Sequence, residues 1–272
     1  MNGNWQPQNN GLSRWLWLKI LISGVVMFFL IKQALVMTGN INYIPSLLVI
    51  GTFTVPSSFL ILLYTRDKIP RVSVGNLLTA LLWGGVLGTV LAGTLEYATV
   101  VHLGTLSTIF IGLIEEMAKL LIPALLIARN KHYTALDALV IGAASGAGFA
   151  ALESMGYGLI ALLLSGGDIN TTVQTLLVRG LMAPAAHIAW TAILAVALWR
   201  VMHITHEHSI RHFSYTFVGV VIIHALWDSV TPLGAMLLVL LGLVSLGWLL
   251  FQLHKTADTL AQQRLPIDQP AI

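Results

Sequence analysis

Gly112-Leu-Ile-Glu-Glu-Met-Ala-Lys-Leu-Leu-Ile-Pro123 decides how this chain is read. Glu115, Glu116 and Lys119 stand in the middle of an apolar run from Thr105 to Ile127. A charge at the centre of a membrane helix costs about 2.5–3.5 kcal/mol, so three cost roughly 8–10 kcal/mol if additive. The Leu, Ile and Phe residues of the run return only about 4–7 kcal/mol at roughly 0.3–0.6 each. Such a helix needs protein partners for its charged face. An ionisable cluster inside a membrane points to a functional site.

Outward from this stretch, the composition agrees. The 272 residues are 57% hydrophobic and 9% charged, with mean hydropathy +0.84, whereas a soluble domain carries about 25% charged residues. The fold class is all-α: a polytopic membrane helical bundle. The net charge of +3 does not imply nucleic-acid binding, because the basic residues lie between apolar spans. The absence of cysteine excludes disulfides, thiol nucleophiles and Cys-based metal sites. No cleavable signal peptide is read at the first apolar run.

Apolar runs fall at Trp15–Met37, Tyr43–Tyr64, Val74–Val101, Thr105–Ile127, Tyr133–Leu164, Thr172–Met202, Ser214–Val230 and Leu233–Leu253. Each is near the ~20 residues that span a bilayer, the seventh being short. A tight turn at Thr231-Pro232 is expected between the last two. The expected organisation is a polar tail over 1–14, one membrane domain over 15–253 with its catalytic core at about 105–230, and a polar tail over 254–272. Arg14, Lys19, Arg66, Lys68, Arg71, Arg129, Lys131, Arg200, Arg211, Lys255 and Arg264 all lie on one side if the N-terminus is inside. That pattern predicts eight spans with both termini cytoplasmic.

Four spans carry ionisable residues near their centres: Glu115, Glu116 and Lys119; Glu153; Arg179 and His187; His224 and Asp228. Glu115 and Lys119, at i and i+4, share a helix face. Pro123 has no N–H, so the Lys119 carbonyl loses its helical partner. Pro184 similarly frees the carbonyl of Gly180. At a rise of about 1.5 Å per residue, Glu115, Glu153 and His224 lie roughly 15–16 Å from their helix ends, at one depth. His187 comes out about 22 Å deep and fits that layer only if its helix starts late or tilts. Gly142-Ala-Ala-Ser-Gly146 and Gly84-Gly85-Val-Leu-Gly88 predict close helix packing. Arg179 and Lys32 are read as snorkelling to the membrane surface. His203, His206, His208 and His212 with Glu207 read as a solvated loop.

Two chemistries are open for such a layer. A carboxylate and a histidine can activate water as base and acid. Alternatively His187, His224 and Glu153 are candidates to hold a Zn²⁺ with an open water position. No HExxH supports the metal reading locally.

These residues resemble a known family. Glu115-Glu116-Met-Ala-Lys119 resembles the EExxK motif of the PrsW family of intramembrane proteases. Phe149-Ala-Ala-Leu-Glu153 is similar to its FxxxE motif, His187 to its isolated membrane histidine, and His224-Ala-Leu-Trp-Asp228 to its closing HxxxD motif. The related CAAX prenyl endopeptidases and Abi-type proteins carry EExxxR, FxxxH and HxxxN instead. The resemblance implies an endopeptidase of the bacterial cytoplasmic membrane that cuts a membrane-anchored protein such as an anti-sigma factor. It implies Glu115 as the base on water, with Glu116 and Lys119 shaping its charge. His187 and His224 would polarise the water and the oxyanion, Asp228 would orient His224, and Glu153 would be a second acid or a ligand. It leaves metal-assisted and glutamate-type hydrolysis open. The rival classes are a proton- or ion-coupled transporter and a non-catalytic membrane scaffold.

Overall fold

The computed structural model describes residues 13–66, 72–104, 107–204, 207–230 and 234–263. The Thr231-Pro232 turn, Lys68, Arg71, His206, Arg264 and most of both tails lie outside these. The described residues form helices joined by short turns, with no strand among them. The chain runs α1 (Leu16–Thr38), a 3₁₀ turn (Ile41–Tyr43), α2 (Ile44–Tyr64), α3 (Val74–Leu103), α4 (Thr108–Arg129) and α5 (Ala135–Leu164). It continues through α6 (Ile169–Met182), a 3₁₀ turn (Ala183–Ala185), α7 (His187–His203), α8 (Glu207–Val230) and α9 (Ala235–Gln263).

Seven helical stretches are long and apolar enough to cross a membrane, α6 and α7 together forming one of 35 residues. Helix α4, on the remaining apolar run, is not among them because it carries Glu115, Glu116 and Lys119. The chain is a multi-pass membrane protein, and helices fall on all eight of its apolar runs. Three boundaries differ most, the first being α9, which runs to Gln263 rather than Leu253 and so into the stretch read as a polar tail. Helix α8 begins at Glu207 rather than Ser214, because a helix continues past the end of its apolar run once polar side chains such as His208 and Arg211 face outward. The sixth segment is broken rather than continuous, as Pro184 cannot extend α6.

Helix α5 is the axis of the bundle. Every residue from Leu136 to Ala151 is buried. Its length of small side chains explains how it serves two neighbours at once. Gly142 and Gly146 face α7: a Cβ on Gly142 would lie 2.9 Å from the Ala192 Cα, and one on Gly146 would lie 2.9 Å from the Ile188 Cα and strike the His187 carbonyl. Ser145 and Gly148 face α3, where a Cβ on Gly85 would come within 2.6 Å of the Gly148 backbone. Both small-residue patterns are therefore backbone-to-backbone packing seams. A capping box between Thr134 and Asp137 starts α5, satisfying backbone donors that the first turn leaves free.

Candidate active site

Helix α4 brings three charges together at one height. The Lys119 Nζ lies 2.9 Å from Glu115 Oε2 and 2.8 Å from Glu116 Oε1. Although the two glutamates project about 100° apart, the i+3 and i+4 spacings let a single ammonium reach both. Lys119 is fully buried, as is Glu116. The third contact of Nζ is His187 Nδ1 at 2.8 Å, and the ring of Phe149 lies 4.2 Å from it. The carbonyl of Lys119, freed by Pro123, accepts a hydrogen bond from the Ser145 hydroxyl at 2.7 Å. A polar group exposed by proline is thus used to tie α4 to α5.

The break before α7 places His187. Helix α6 ends at Met182, and α7 opens at His187 itself, so the histidine sits at a helix start inside the bundle. That late start accounts for its excess depth when the segment is counted as one helix. An ammonium can only donate, so Lys119 holds Nδ1 of His187 as an acceptor and the ring proton sits on Nε2. This Nε2 lies 2.9 Å from Glu153 Oε2. His224 arrives from α8, nearly buried. Its Nδ1 donates to Glu116 Oε1 at 2.8 Å, leaving Nε2 3.5 Å from Glu115 Oε2 and 3.6 Å from Asp228 Oδ2. Glu116 therefore makes the shorter contact to His224, whereas the resemblance implied that Asp228 would orient it.

All seven predicted residues meet in one cluster. Glu115, Glu153, His187 and Asp228 line a cavity of about 660 Å³, together with residues of α3, α6 and α9. Glu116, Lys119 and His224 form its charged floor through the contacts above. The trio whose ligand atoms all lie within 4.8 Å of one another is Glu115, His187 and His224. Sequence reasoning named Glu153 with the two histidines instead. Glu153 remains against His187 but sits further toward the rim, 18% of its side chain exposed.

Three residues at the site were missed or misread from sequence. Glu96 of α3 lines the cavity, with a buried Oε1 that accepts no hydrogen bond. Being one carboxylate in a long apolar run, it has no motif to signal it. Arg179 does not snorkel: its Nη2 lies 2.7 Å from Glu153 Oε2, and it lines the cavity. Trp190 packs against His224 at 4.7 Å and His187 at 5.3 Å between ring centroids, with its indole N–H given to Ser245. Its signal was its place one turn after His187. Among the histidines near the α7–α8 connection that the structure describes, His203 stacks on Trp199 and His212 contacts Arg200. No group able to hold a metal forms there among the described residues.

The cavity residues fit a divalent cation. Two imidazoles and a carboxylate are a common donor set for catalytic zinc. Among the described cavity and floor residues, Glu96, Glu115, Glu116, Glu153 and Asp228 stand with the cations Lys119 and Arg179, a formal excess of three negative charges if both histidines are counted neutral. The Oε2 atoms of Glu115, Glu116 and Glu153 are buried without an aligned hydrogen bond. His187 could ligate through Nε2 as a neutral imidazole only in its Nδ1–H tautomer, with Lys119 passing a proton to Nδ1 and the Glu153 carboxylate taking the one on Nε2. No curated protein and no solved structure matches the chain significantly. A family model does, over residues 73–253, two-thirds of the length and all of the cluster. Seven membrane-capable helical stretches around a buried glutamate–histidine centre accord with that match: this chain belongs to the PrsW family of intramembrane metalloproteases.

Proposed function

We propose that the chain hydrolyses a peptide bond of a membrane-anchored protein, with Glu115 as the base on water and the core of the reaction within about residues 105–230. The observation that carries this is the closure of Glu115, His187 and His224 to within 4.8 Å, with Glu115 and His187 on the wall of a cavity between membrane helices. Zn²⁺ is the ion that the donor set fits best. When bound, it supplies Lewis acidity and lowers the pKa of water.

The protein's own groups divide the remaining work. Glu115 takes the proton of the attacking water at a carboxylate oxygen and returns it to the leaving nitrogen, as general base and then acid. Glu116 fixes the His224 ring through Nδ1 so that Nε2 faces the cavity, the usual task of a carboxylate behind a ligating histidine. Lys119 balances the two glutamates and turns Nε2 of His187 toward the cavity. Asp228 and Glu153 border the place of the oxyanion and can hold protons there. The walls of α3, α5, α6 and α9 limit access of bulk water, which strengthens each of these contacts. A substrate of this site is an anchored regulator such as an anti-sigma factor, in a bacterial cytoplasmic membrane with both termini of the enzyme inside.

The test compares protein N-termini in membranes holding the wild type or Glu115→Gln, at matched expression and stability. New termini in or beside a membrane span, present only with wild type, are expected. Identical N-terminal profiles in membranes rich in anchored regulators refute the reading.

A further inference from the structure

Arg179 is the charged residue of α6, which otherwise turns Leu177, Val178 and Leu181 outward. It lies one turn before the break that ends its helix. An arginine that merely snorkelled would reach away from the bundle into the headgroups. Arg179 instead reaches inward and is clamped by three residues of α5. Its Nη2 sits 2.7 Å from Glu153 Oε2, and its Nε donates to the Ser154 hydroxyl at 3.2 Å. The guanidinium carbon lies 3.8 Å from the centre of the Tyr157 ring. The edge of the group is thus held by residues 153 and 154 and its face by residue 157, all on one stripe of α5. Lysine offers neither the planar face nor two donors at fixed spacing.

The clamp bears on the site through one atom. Glu153 Oε2 is at once the partner of Arg179 and the oxygen 2.9 Å from His187 Nε2. His187 is in turn held from its other side by Lys119 at 2.8 Å. We infer that Arg179 is a positioning residue: it fixes the Glu153 carboxylate against Nε2 of His187 and so sets the imidazole's orientation in the cavity. This rests on reading the cavity as the hydrolytic site. It adds the short half-helix α6 to the parts on which that site depends. Without the guanidinium, the carboxylate keeps its α5 backbone but loses the contact that selects one rotamer.

The experiment uses full-length protein in nanodiscs with ¹⁵N-labelled histidine, freed of metal by a chelator. The His187 Nε2–H resonance is assigned by its loss in His187→Asn. In wild type it is expected as a proton buried against the Glu153 carboxylate and protected from solvent exchange. Glu153→Gln and Arg179→Gln should both shift it and remove its protection, while lipid-facing Leu181→Ala leaves it unchanged. Arg179→Lys, which keeps the charge and the fold, should restore the protection only in part.

On a substrate found by its Glu115-dependent cleavage, Arg179→Gln should lower kcat 10–100-fold, the usual cost of losing a group behind a ligand, with KM unchanged. Ethylguanidinium should rescue Arg179→Ala, and ethylamine should not. If Glu153→Gln moves the His187 signal and Arg179→Gln or Arg179→Lys leaves it in place, Arg179 is only a tie between helices and the inference fails. Should the signals behave as expected while no Glu115-dependent cleavage exists, the protease reading fails and the positioning role stands.

Discussion

Replacing Lys119 by Met isolates the electrostatic demand of α4. Met keeps the length and apolar bulk of the stem, so little packing is lost. What disappears is a fully buried ammonium with contacts of 2.9 Å to Glu115, 2.8 Å to Glu116 and 2.8 Å to His187. Removing one partner of a buried ion pair costs about 3–5 kcal/mol, because the other charge stays buried and unpaired. Here two carboxylates are left on adjacent residues, so the loss should reach that range even after they relax. Against a total stability of about 5–15 kcal/mol, Lys119→Met should unfold at much lower denaturant. Adding Glu116→Gln removes one of the stranded charges. The double variant should then regain about 1–3 kcal/mol relative to additivity, the size of coupling seen between contacting residues. The assay is denaturant unfolding in mixed micelles, with lipid-facing Met117→Leu, 60% exposed, as the neutral control. A Lys119→Met protein within about 1 kcal/mol of wild type, or strict additivity in the double variant, would refute the reasoning that the three charges are mutually compensating.

Gly146→Leu should destabilise by about 1–3 kcal/mol through overpacking and lower cleavage by more than that loss explains, since the new side chain pushes on the His187 carbonyl; Gly247→Ala, with nothing within 4 Å of a new Cβ, should be near neutral in both unfolding and cleavage assays. His224→Ala should reduce the Zn²⁺ content of the purified protein measured by elemental analysis, whereas Gly247→Ala retains it. Outside the membrane, the Thr171 hydroxyl and the backbone N–H groups of Thr171 and Asn170 hold the Asp168 carboxyl below its ordinary pKa. A carboxyl held low stabilises the fold above its unfolded pKa and loses that contribution as pH falls through the folded value. The first turn of α6 should therefore fray in acid below the usual aspartate range, which hydrogen exchange at Asn170 and Thr171 would follow against an Asp168→Asn control.

Much of this site was legible because membrane burial makes each charge conspicuous. Glu115, Lys119, Glu153, His187, His224 and Asp228 stand out from apolar runs, and the depths of Glu115, Glu153 and His224 coincide once helical rise is counted. The small-residue stripes at Gly142–Gly146 and Gly84–Gly88 also translate directly into packing, since only one geometry uses them. Three things resisted. The break between α6 and α7 was signalled by Pro184 but could equally have been a kink, because proline disrupts a helix without stating how far the chain then departs. Arg179 was misread because length and position allow snorkelling, and only the neighbouring helix decides direction. The pairing of Glu116 with His224 links residues 108 apart, which neither periodicity nor spacing encodes.

The broken segment and the charge cluster have one physical origin. A continuous sixth helix would carry its residues past the midplane at a fixed 1.5 Å each, leaving His187 below the layer of Glu115 and His224. Interrupting it at Ala183–Ala185 resets the register and lets α7 begin at His187. An interruption inside the membrane frees backbone groups, which is tolerable only where protein or a polar cavity surrounds it. The 660 Å³ cavity supplies that surrounding, with Ala183, Ala186 and His187 on its wall. The same cavity lets the surplus carboxylates be solvated or bound to a cation rather than stranded in lipid. Helix break, cavity and acidic excess therefore depend on one another. Filling the cavity, for instance by Gly93→Leu from α3, should impair folding and not merely substrate entry.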